Sequence, residues 1–207
     1  MIKNYLKIAL RNIKRHKGFA FLNIFGLSVG LAACLLLFIV IRYENSYDKF
    51  LPEHESVYHI ATQDKTADGL FHTPGIPFPA LDAVRLDIPQ ATTGALYASY
   101  GSQISVLGKT PNDPATKKFM EGSGIFYADP EFFKVFQYKW LQGSPEVLKE
   151  PNVTVLTQKA AEKYFGSWKD AIGQYIRMDN AIDYKVSGIL ENPPANTDFP
   201  LAVVHSL

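Results

Sequence analysis

The stretch LAACLLLFIVIRYENSYDKF (residues 31–50) contains the end of a long apolar run and an abrupt change to charged and aromatic residues. The run begins upstream, because residues 19–41 are 23 consecutive residues without a charged side chain. A helix of that length is about 35 Å long, and the hydrocarbon core of a bilayer is about 30 Å thick. We therefore predict a transmembrane helix over residues 18–43, with the rest of the chain outside the bilayer.

Cys34 permits a second interpretation of this stretch. Residues 31–34, Leu-Ala-Ala-Cys, are similar to the lipobox of bacterial lipoprotein precursors, in which a peptidase cuts before an acylated cysteine. Seven apolar residues follow Cys34, however, where a mature secreted protein would begin with polar sequence. We therefore interpret this single cysteine of the chain as a small packing residue within the bilayer.

The charges of the chain are divided between its two parts. Residues 1–43 hold seven Lys or Arg and no acid, whereas residues 44–207 hold 14 basic and 20 acidic side chains. Six of the seven basic residues precede the apolar run, and basic residues flanking a span favour the cytoplasmic side. The charge distribution predicts a cytoplasmic N-terminus and an outer domain from about residue 44 onward, which would lie in the periplasm if the source is a Gram-negative bacterium.

Residues 1–17 are predicted to form a cytoplasmic amphipathic helix on the anionic leaflet. The apolar side of this helix contains Ile2, Tyr5, Leu6, Ala9, Leu10 and Ile13. Most of the other side is basic, with Lys3, Lys7, Arg11, Lys14 and Arg15, and Ile8 is an exception to the pattern. The alternative is a basic flank that only fixes topology.

Small and polar residues recur every three or four positions within the span. Asn23, Gly26, Gly30 and Ala33 (or Cys34) fall on one stripe, and the two glycines form a GxxxG pattern. This pattern permits close approach of helices, and an asparagine gains a hydrogen-bond partner when another helix covers it. We predict that the stripe packs against another helix, although such spacings also arise by chance.

The outer part has the pattern of an α+β domain. Strands are predicted in SVYHIAT (56–62), TGALYASY (93–100) and SQISVLG (102–108), and a short helix in PFPALDAVRLDIPQ (77–90). NVTVLTQKAAEKYFG (152–166) predicts a strand, then a helix with Thr157 as N-cap and Gly166 at its C-terminal stop. QYIRMDNAIDYKVSGIL (174–190) predicts a hairpin around an Asp-Asn turn.

No catalytic, metal-binding or cofactor-binding pattern is present in the sequence. His54 and His59 are five residues apart, which does not give the i, i+4 pair of a zincin helix, and no nucleotide-binding loop occurs. We interpret Glu121, Asp129 and Glu131 as ordinary surface charges. We therefore expect no enzymatic activity, no cofactor and no nucleic-acid partner.

Six segments in order carry a resemblance to a known family. They are NYLKIALRNIKRHKGFAFLNIFGLSVGLAACLLL, YENSYDKF, YADPEFFKVFQYKWLQG, NVTVLTQKAAEKYFG, AIGQYIRM and DYKVSGILENPPANTDFP. Together they resemble the MacB-like (FtsX-related) permease subunits of ABC transporters. The resemblance implies an α+β fold in which one transmembrane helix precedes a mixed α/β, two-lobed periplasmic core domain over residues 56–207. It also implies three further membrane helices, so we expect the chain to be part of a longer permease whose periplasmic domain is incomplete at Leu207.

The resemblance implies a mechanical role. A separate cytoplasmic ABC ATPase would drive a homo- or heterodimer of permeases in the lipid bilayer, and the periplasmic domains would expel a substrate or act on a periplasmic partner protein. Residues 44–55 are the predicted juxtamembrane stalk. Tyr43, Tyr47 and Phe50 are spaced for one face of a stiff helix that Pro52 ends. The alternative is a single-span anchored binding or sensor module.

Overall fold

The computed structural model describes residues 2–207, with the side chains of Ile2, Lys3, Leu6 and Leu10 excepted. The chain divides into two compact units, one that ends at Tyr47 and one over Asp48–Leu207. Three members of the predicted apolar side of the first helix, Ile2, Leu6 and Leu10, therefore lie outside the described side chains.

The first unit consists of two helices, α1 (Ile2–Arg15) and α2 (Lys17–Glu44). Helix α2 has 28 residues and is about 42 Å long. It is the one helix of the described residues that is long and apolar enough to cross a membrane, and none of its residues is buried. The sequence prediction of one long apolar N-terminal helix is thus confirmed.

The second unit contains three helices and eleven strands. In chain order they are β1 (Thr62–Thr66), β2 (Gly69–Thr73), α3 (Ala80–Asp87), β3 (Leu96–Ser99), β4 (Ser102–Val106), β5 (Lys117–Glu121), β6 (Ile125–Ala128), α4 (Pro130–Phe136), β7 (Trp140–Gln142), β8 (Val153–Thr157), α5 (Gln158–Phe165), β9 (Tyr175–Met178), β10 (Ile182–Leu190) and β11 (Val203–Ser206). Strands β1 and β2 form a separate two-stranded sheet. The α+β class predicted from the sequence is confirmed.

The other nine strands form one mixed sheet. Its order is β3-β6-β11-β8-β10-β9-β4-β5, and β7 pairs with β10 outside this path. Strands β6 and β11 are parallel, as are β8 and β10, and the remaining pairs are antiparallel. Helix α4 follows β6 and helix α5 follows β8, so each parallel pair is joined through a crossover that includes a helix.

Buried side chains lie on both faces of the nine-stranded sheet. Successive residues of a strand point to opposite faces, so Leu156 packs into the cluster with α5, while Val155 packs into the cluster with α4. The α5 cluster is centred on Tyr164, Ile176 and Val186, and the α4 cluster on the aromatic rings of Phe132, Phe133 and Tyr138. All five residues of β8 are buried, as expected for a strand covered on both faces.

Several predicted elements form as expected. Helix α3 follows Pro79, and strands β3 and β4 lie within the predicted segments. The Thr157 side chain caps α5 by accepting a hydrogen bond from the Ala160 N–H, and Gly166 ends that helix at φ 85°. The turn between β9 and β10 places Asp179 and Asn180 at φ 51° and 56°, the left-handed conformations of a type I′ hairpin.

The predicted strand over residues 56–62 is wrong. A 3-10 turn covers His54–Ser56, residues 57–61 are irregular, and β1 begins only at Thr62. Val57 is half-buried, but Tyr58 and Ile60 are 85% and 43% exposed, so no buried sheet face fixes the segment in a strand. The segment therefore has the residue types of a strand, but residues 57–61 do not pair with a neighbouring strand.

Candidate functional site

The predicted helix-packing residues lie on one face of α2. Asn23, Gly26, Gly30 and Ala33 are all exposed, and a Cβ atom built on either glycine would meet no atom within 4 Å among the described residues. The stripe is therefore open along its length in this chain. It would admit the backbone of another helix, which is the geometry that a GxxxG pattern permits.

The predicted stalk does not form one continuous helix. Helix α2 ends at Glu44, and residues 45–50 form turns. The Ser46 hydroxyl donates a 2.6 Å hydrogen bond to the carbonyl of Tyr43, and Asp48 has the left-handed φ of 53°. Both features compete with helical hydrogen bonding, and so the prediction of a helix up to Pro52 is wrong.

The three aromatic residues of the predicted stalk have separate surroundings. The rings of Tyr43 and Tyr47 pack edge to face with centroids 5.6 Å apart in the first unit. Phe50 belongs to the second unit, where its ring lies 6.1 Å from that of Tyr138. The three residues therefore do not share one helical face.

The second unit begins with an anchor segment (residues 48–51) that is bonded to the β10–β11 loop (residues 191–202). The Thr197 hydroxyl donates a 2.6 Å hydrogen bond to Oδ1 of Asp48, and the Asp198 N–H donates to Oδ2 at 3.3 Å. The Asp48 N–H in turn donates to the Asn196 carbonyl at 3.1 Å. Asp48 is thus held by backbone and side chain to a loop 149 residues away.

Apolar contacts complete the attachment of the anchor segment. Leu51 is 4% exposed, and Phe50 packs edge to face on Tyr138. The Tyr138 hydroxyl donates a hydrogen bond to the Phe199 carbonyl at 3.3 Å. Burial raises the pKa of Tyr138 to about 12, and the nearby Asp48 carboxylate acts in the same direction, whereas the hydrogen bond with Thr197 acts against it. This phenol therefore remains neutral at physiological pH.

The β10–β11 loop connects two central strands and also holds a helix. The side-chain oxygen of Asn192 accepts a 2.8 Å hydrogen bond from the Lys159 N–H in the first turn of α5. Leu201, near the end of the loop, is 3% exposed in the α4 cluster. A force on Asp48 would therefore act on a loop that is bonded to both the sheet and α5.

Sequence reasoning missed the role of Asp48 because its partners lie at the other end of the chain. Residues 196–198 have the Asn-Thr-Asp composition of an ordinary loop, which gives no local signal of a long-range contact.

Two of the acids interpreted as surface charges have structural roles. Asp129 has a 12% exposed side chain, caps α4 through the Phe132 N–H at 2.9 Å, accepts from the Ala95 N–H at 3.0 Å, and pairs with Arg85 of α3. Glu121 accepts hydrogen bonds from Lys163 Nζ at 2.6 Å and the Tyr164 hydroxyl at 2.7 Å. The interpretation is therefore wrong for these two acids.

Two open grooves flank the β10–β11 loop. One has a volume of about 420 Å³ and lies against α5, and the other has a volume of about 460 Å³ and lies against the anchor segment. Residues 192–194, Asn-Pro-Pro, line both. Within residues 2–207 no group of three or more His, Cys, Asp or Glu could hold a metal ion.

His205 is a buried polar residue on β11. It is fully buried, and its ring stacks on that of Tyr184 at 3.8 Å. Neither ring nitrogen has a hydrogen-bond partner among the described residues. Burial lowers the pKa of His205 to about 3, so the imidazole is neutral and acts as a core aromatic ring.

Comparisons with known proteins give a family match over most of the chain and similar solved structures. The model of the MacB-like periplasmic core domain family matches residues 20–205. A domain of a proposed permease protein from Porphyromonas gingivalis is similar with 16% identity and a TM-score of 0.48, over 60% of this chain and 54% of that one. The periplasmic region of MacB from Actinobacillus actinomycetemcomitans is similar with 18% identity and a TM-score of 0.39, over 54% of this chain and 46% of that one. This chain thus spans about half the length of these solved structures. No curated protein matches it.

Proposed function

This chain belongs to the MacB-like periplasmic core domain family, and from that membership we propose that it couples ATP hydrolysis to motion of an outer domain. The family consists of ABC transporter permeases, which are transporter components and are not themselves catalytic. The proposed subunit works with a separate cytoplasmic ABC ATPase. Its movement either exports a substrate or acts on a periplasmic partner protein.

The attachment of the anchor segment is the observation that carries the proposal. A mechanical subunit needs a firm connection between the membrane helix and the outer domain. Three hydrogen bonds of Asp48 and the buried Leu51 fix the first residues of the second unit to the β10–β11 loop. We propose that this attachment transmits force in place of the continuous helix expected from the sequence. Tyr43, Tyr47 and Phe50 then stabilise the two ends of the stalk.

The stripe on α2 supports a dimeric assembly. We propose that Asn23, Gly26, Gly30 and Ala33 pack against the helix of another permease subunit or against another helix of the same permease. The exposed surface of both glycines is consistent with close backbone approach. The proposed location is the bacterial inner membrane, with α1 on the cytoplasmic leaflet and residues 48–207 in the periplasm.

Purification from the native membrane tests the proposal. We expect the full-length protein, solubilised in a mild detergent, to co-purify with an ATPase that carries a Walker A motif. Its ATP hydrolysis should depend on the permease in reconstituted vesicles. We also expect the complete reading frame to encode three further apolar runs of about 20 residues. A single-span binding module would have neither the ATPase nor the additional runs, and that result would exclude the proposed role.

A further inference from the structure

The outer edge of strand β3 has no pairing partner among residues 2–207. β3 (Leu96–Ser99) stands at one end of the strand order of the nine-stranded sheet and pairs only with β6. An edge of this kind presents N–H and C=O groups that can hydrogen-bond to a strand of another chain. Neither the family match nor the proposed mechanism assigns a partner to this edge.

Two residues of β3 direct their backbone groups to the open edge. Antiparallel strands alternate between residue pairs that exchange hydrogen bonds and residue pairs that do not. The Asp129 N–H donates to the Ala95 carbonyl at 3.4 Å, so Ala95 and, two positions later, Tyr97 are bonded toward β6. The N–H and C=O groups of Leu96 and Ala98 therefore point away from β6, and no group in the described part of the chain is bonded to them.

The side chains of this edge differ from those at the other end of the strand order. Residues 88–108, which include all of β3, contain no charged side chain. At the opposite end, β5 carries the exposed Lys117 and Lys118, and such charges oppose pairing of an edge with a second copy of itself. β3 carries instead Tyr97, which is 64% exposed. The edge of β3 thus lacks the charges that commonly protect an edge strand from other strands.

A second copy of β3 fits this edge in one register. In an antiparallel, two-fold pairing centred on Tyr97, Leu96 lies opposite the second copy's Ala98, and the outward groups exchange four N–H···O bonds. Moving the centre by one residue would instead require Gly94 or Tyr100, which lie outside the strand. The two Tyr97 residues then form a non-hydrogen-bonded pair, with Cα atoms about 4.5 Å apart and both rings on one face of the sheet. Aromatic pairs of this kind stabilise a sheet.

We propose that the outer domains of two copies of this chain pair through β3 and join their sheets into one. The inference rests on the proposed dimeric permease, and it gives residues 48–207 a contact of their own. Four hydrogen bonds and one pair of rings make a small contact, so pairing should be weak between free domains and favoured where one membrane confines both subunits. An extended segment of another protein could also bond to this edge, but it would not bring two Tyr97 residues together.

Disulfide crosslinking tests the proposal. The full-length protein, with Tyr97→Cys, Cys34→Ser and any other native cysteine likewise replaced, is reconstituted in vesicles and oxidised mildly. Non-reducing electrophoresis then measures the covalent dimer. We expect most of the protein to crosslink, because a Cα separation of about 4.5 Å lies within the range of about 4.4–6.8 Å that a disulfide requires.

Tyr100→Cys is the matched control for Tyr97→Cys. Tyr100 is also exposed, at 75%, and lies only three positions further along the chain. In the proposed register, however, the two copies of Tyr100 are offset by six residues along the strands, which is about 20 Å. The control should therefore crosslink at least fivefold less. Equal crosslinking at positions 97 and 100 would indicate random collisions and overturn the inference.

A proline substitution tests the backbone pairing itself. Ala98→Pro removes an outward N–H and spares the bonds to β6, and proline is tolerated on edge strands at such positions. Combined with Tyr97→Cys, it should lower the amount of covalent dimer by about fivefold or more, and thermal unfolding checks that the outer domain is folded. Unchanged crosslinking of the folded double variant would refute pairing through β3.

Two further outcomes separate this inference from the proposed function. No covalent dimer of Tyr97→Cys, or in native membranes an adduct to another protein in its place, overturns the pairing of two copies. Co-purification with the ATPase alongside that result leaves the proposed function intact. A crosslink at position 97 without an associated ATPase would instead support the pairing and contradict the permease role.

Discussion

At the scale of single residues, Asp48 combines an unusual backbone conformation with a set of specific bonds. Its φ of 53° is in the left-handed region, which aspartate tolerates better than most residues. That conformation allows its N–H to reach the Asn196 carbonyl while its carboxylate accepts from Thr197 and Asp198. Substituting Asp48 therefore removes side-chain bonds that join the anchor segment to the β10–β11 loop.

We expect Asp48→Ala to loosen the anchor segment and to weaken coupling. Loss of two hydrogen bonds to a carboxylate costs about 1–3 kcal/mol, which corresponds to a decrease of roughly 3–10 °C in the Tm of the outer domain. If force passes through this contact, permease-dependent ATP hydrolysis should continue while transport per ATP falls. Differential scanning fluorimetry and a transport assay in vesicles measure the two effects.

Asp198→Ala is the matched control for Asp48→Ala. Asp198 is exposed and contributes its main-chain N–H to the contact, which alanine retains. The control should therefore keep the Tm and the coupling of the parent. If Asp48→Ala couples as well as Asp198→Ala does, the attachment of the anchor segment has no part in transmission.

The acids of the outer domain illustrate the limit of sequence reasoning at this scale. Asp129 precedes Pro130 and Glu131, a pattern typical of a helix start, and the capping role could have been inferred locally. Its ion pair with Arg85 could not, because the two residues are 44 positions apart. The contacts of Glu121 could not be inferred locally either, because its partners Lys163 and Tyr164 lie in α5, 42 and 43 positions later.

At the scale of elements, prediction succeeds where local signals agree. Residues 153–166 are an example. Their alternating pattern predicted strand β8, Thr157 predicted the N-cap of helix α5, and Gly166 predicted the end of that helix. The Asp179-Asn180 pair likewise predicted a hairpin turn, and both residues have the positive φ that such a turn needs. The failures, at residues 56–62 and 45–50, are segments in which tertiary contacts or their absence decide the conformation. Local propensity is a weak prior in such places.

Helix α2 is the element whose role most needs an experiment. Replacing both Gly26 and Gly30 with Leu keeps the helix apolar and inserted, yet it blocks close approach of another backbone. We expect normal membrane levels but association weakened by about tenfold, which corresponds to about 1.4 kcal/mol of binding free energy. Weaker coupling of ATP hydrolysis to transport should accompany the loss. Analytical ultracentrifugation in detergent and the vesicle assay measure these outcomes.

Two variants on the other side of α2 control for the added volume. Ser28→Leu introduces a large side chain there, and Leu35→Ala removes one, and both residues are exposed in this chain. Neither should change association. Normal assembly and transport by the double Leu variant would mean that the stripe is incidental and that α2 only anchors the protein.

At the scale of the whole molecule, the fold places sequence-distant segments side by side. The central strands β11, β8 and β10 are neighbours in the sheet although β11 is the last strand in the chain. The order of strands could not be predicted from alternation, because periodicity identifies a strand without naming its partner. The family resemblance, carried by six segments in a fixed order, correctly implied one long apolar helix followed by a mixed α/β domain, but it did not give the order of the strands.

The direction in which the chain crosses the membrane is the prediction on which the other proposals depend. Six basic residues and no acid precede the apolar run, whereas only Arg42 follows it closely, a distribution that predicts a cytoplasmic N-terminus by the positive-inside rule. Lys7 of α1 and Lys65 of β1 are both exposed, so cysteines introduced there singly should be reactive whenever a reagent reaches them. The background carries Cys34→Ser, which removes the one native thiol.

On intact spheroplasts, a membrane-impermeant maleimide should label Lys65→Cys and leave Lys7→Cys unlabelled, and permeabilised cells should label both. The same Cys34→Ser background should retain the mass and membrane fraction of the parent, because the lipobox interpretation alone requires a lipid on that residue. Labelling of Lys7→Cys without Lys65→Cys would invert the topology and remove residues 48–207 from the periplasm. A change of mass equal to a lost lipid would instead restore the lipoprotein alternative.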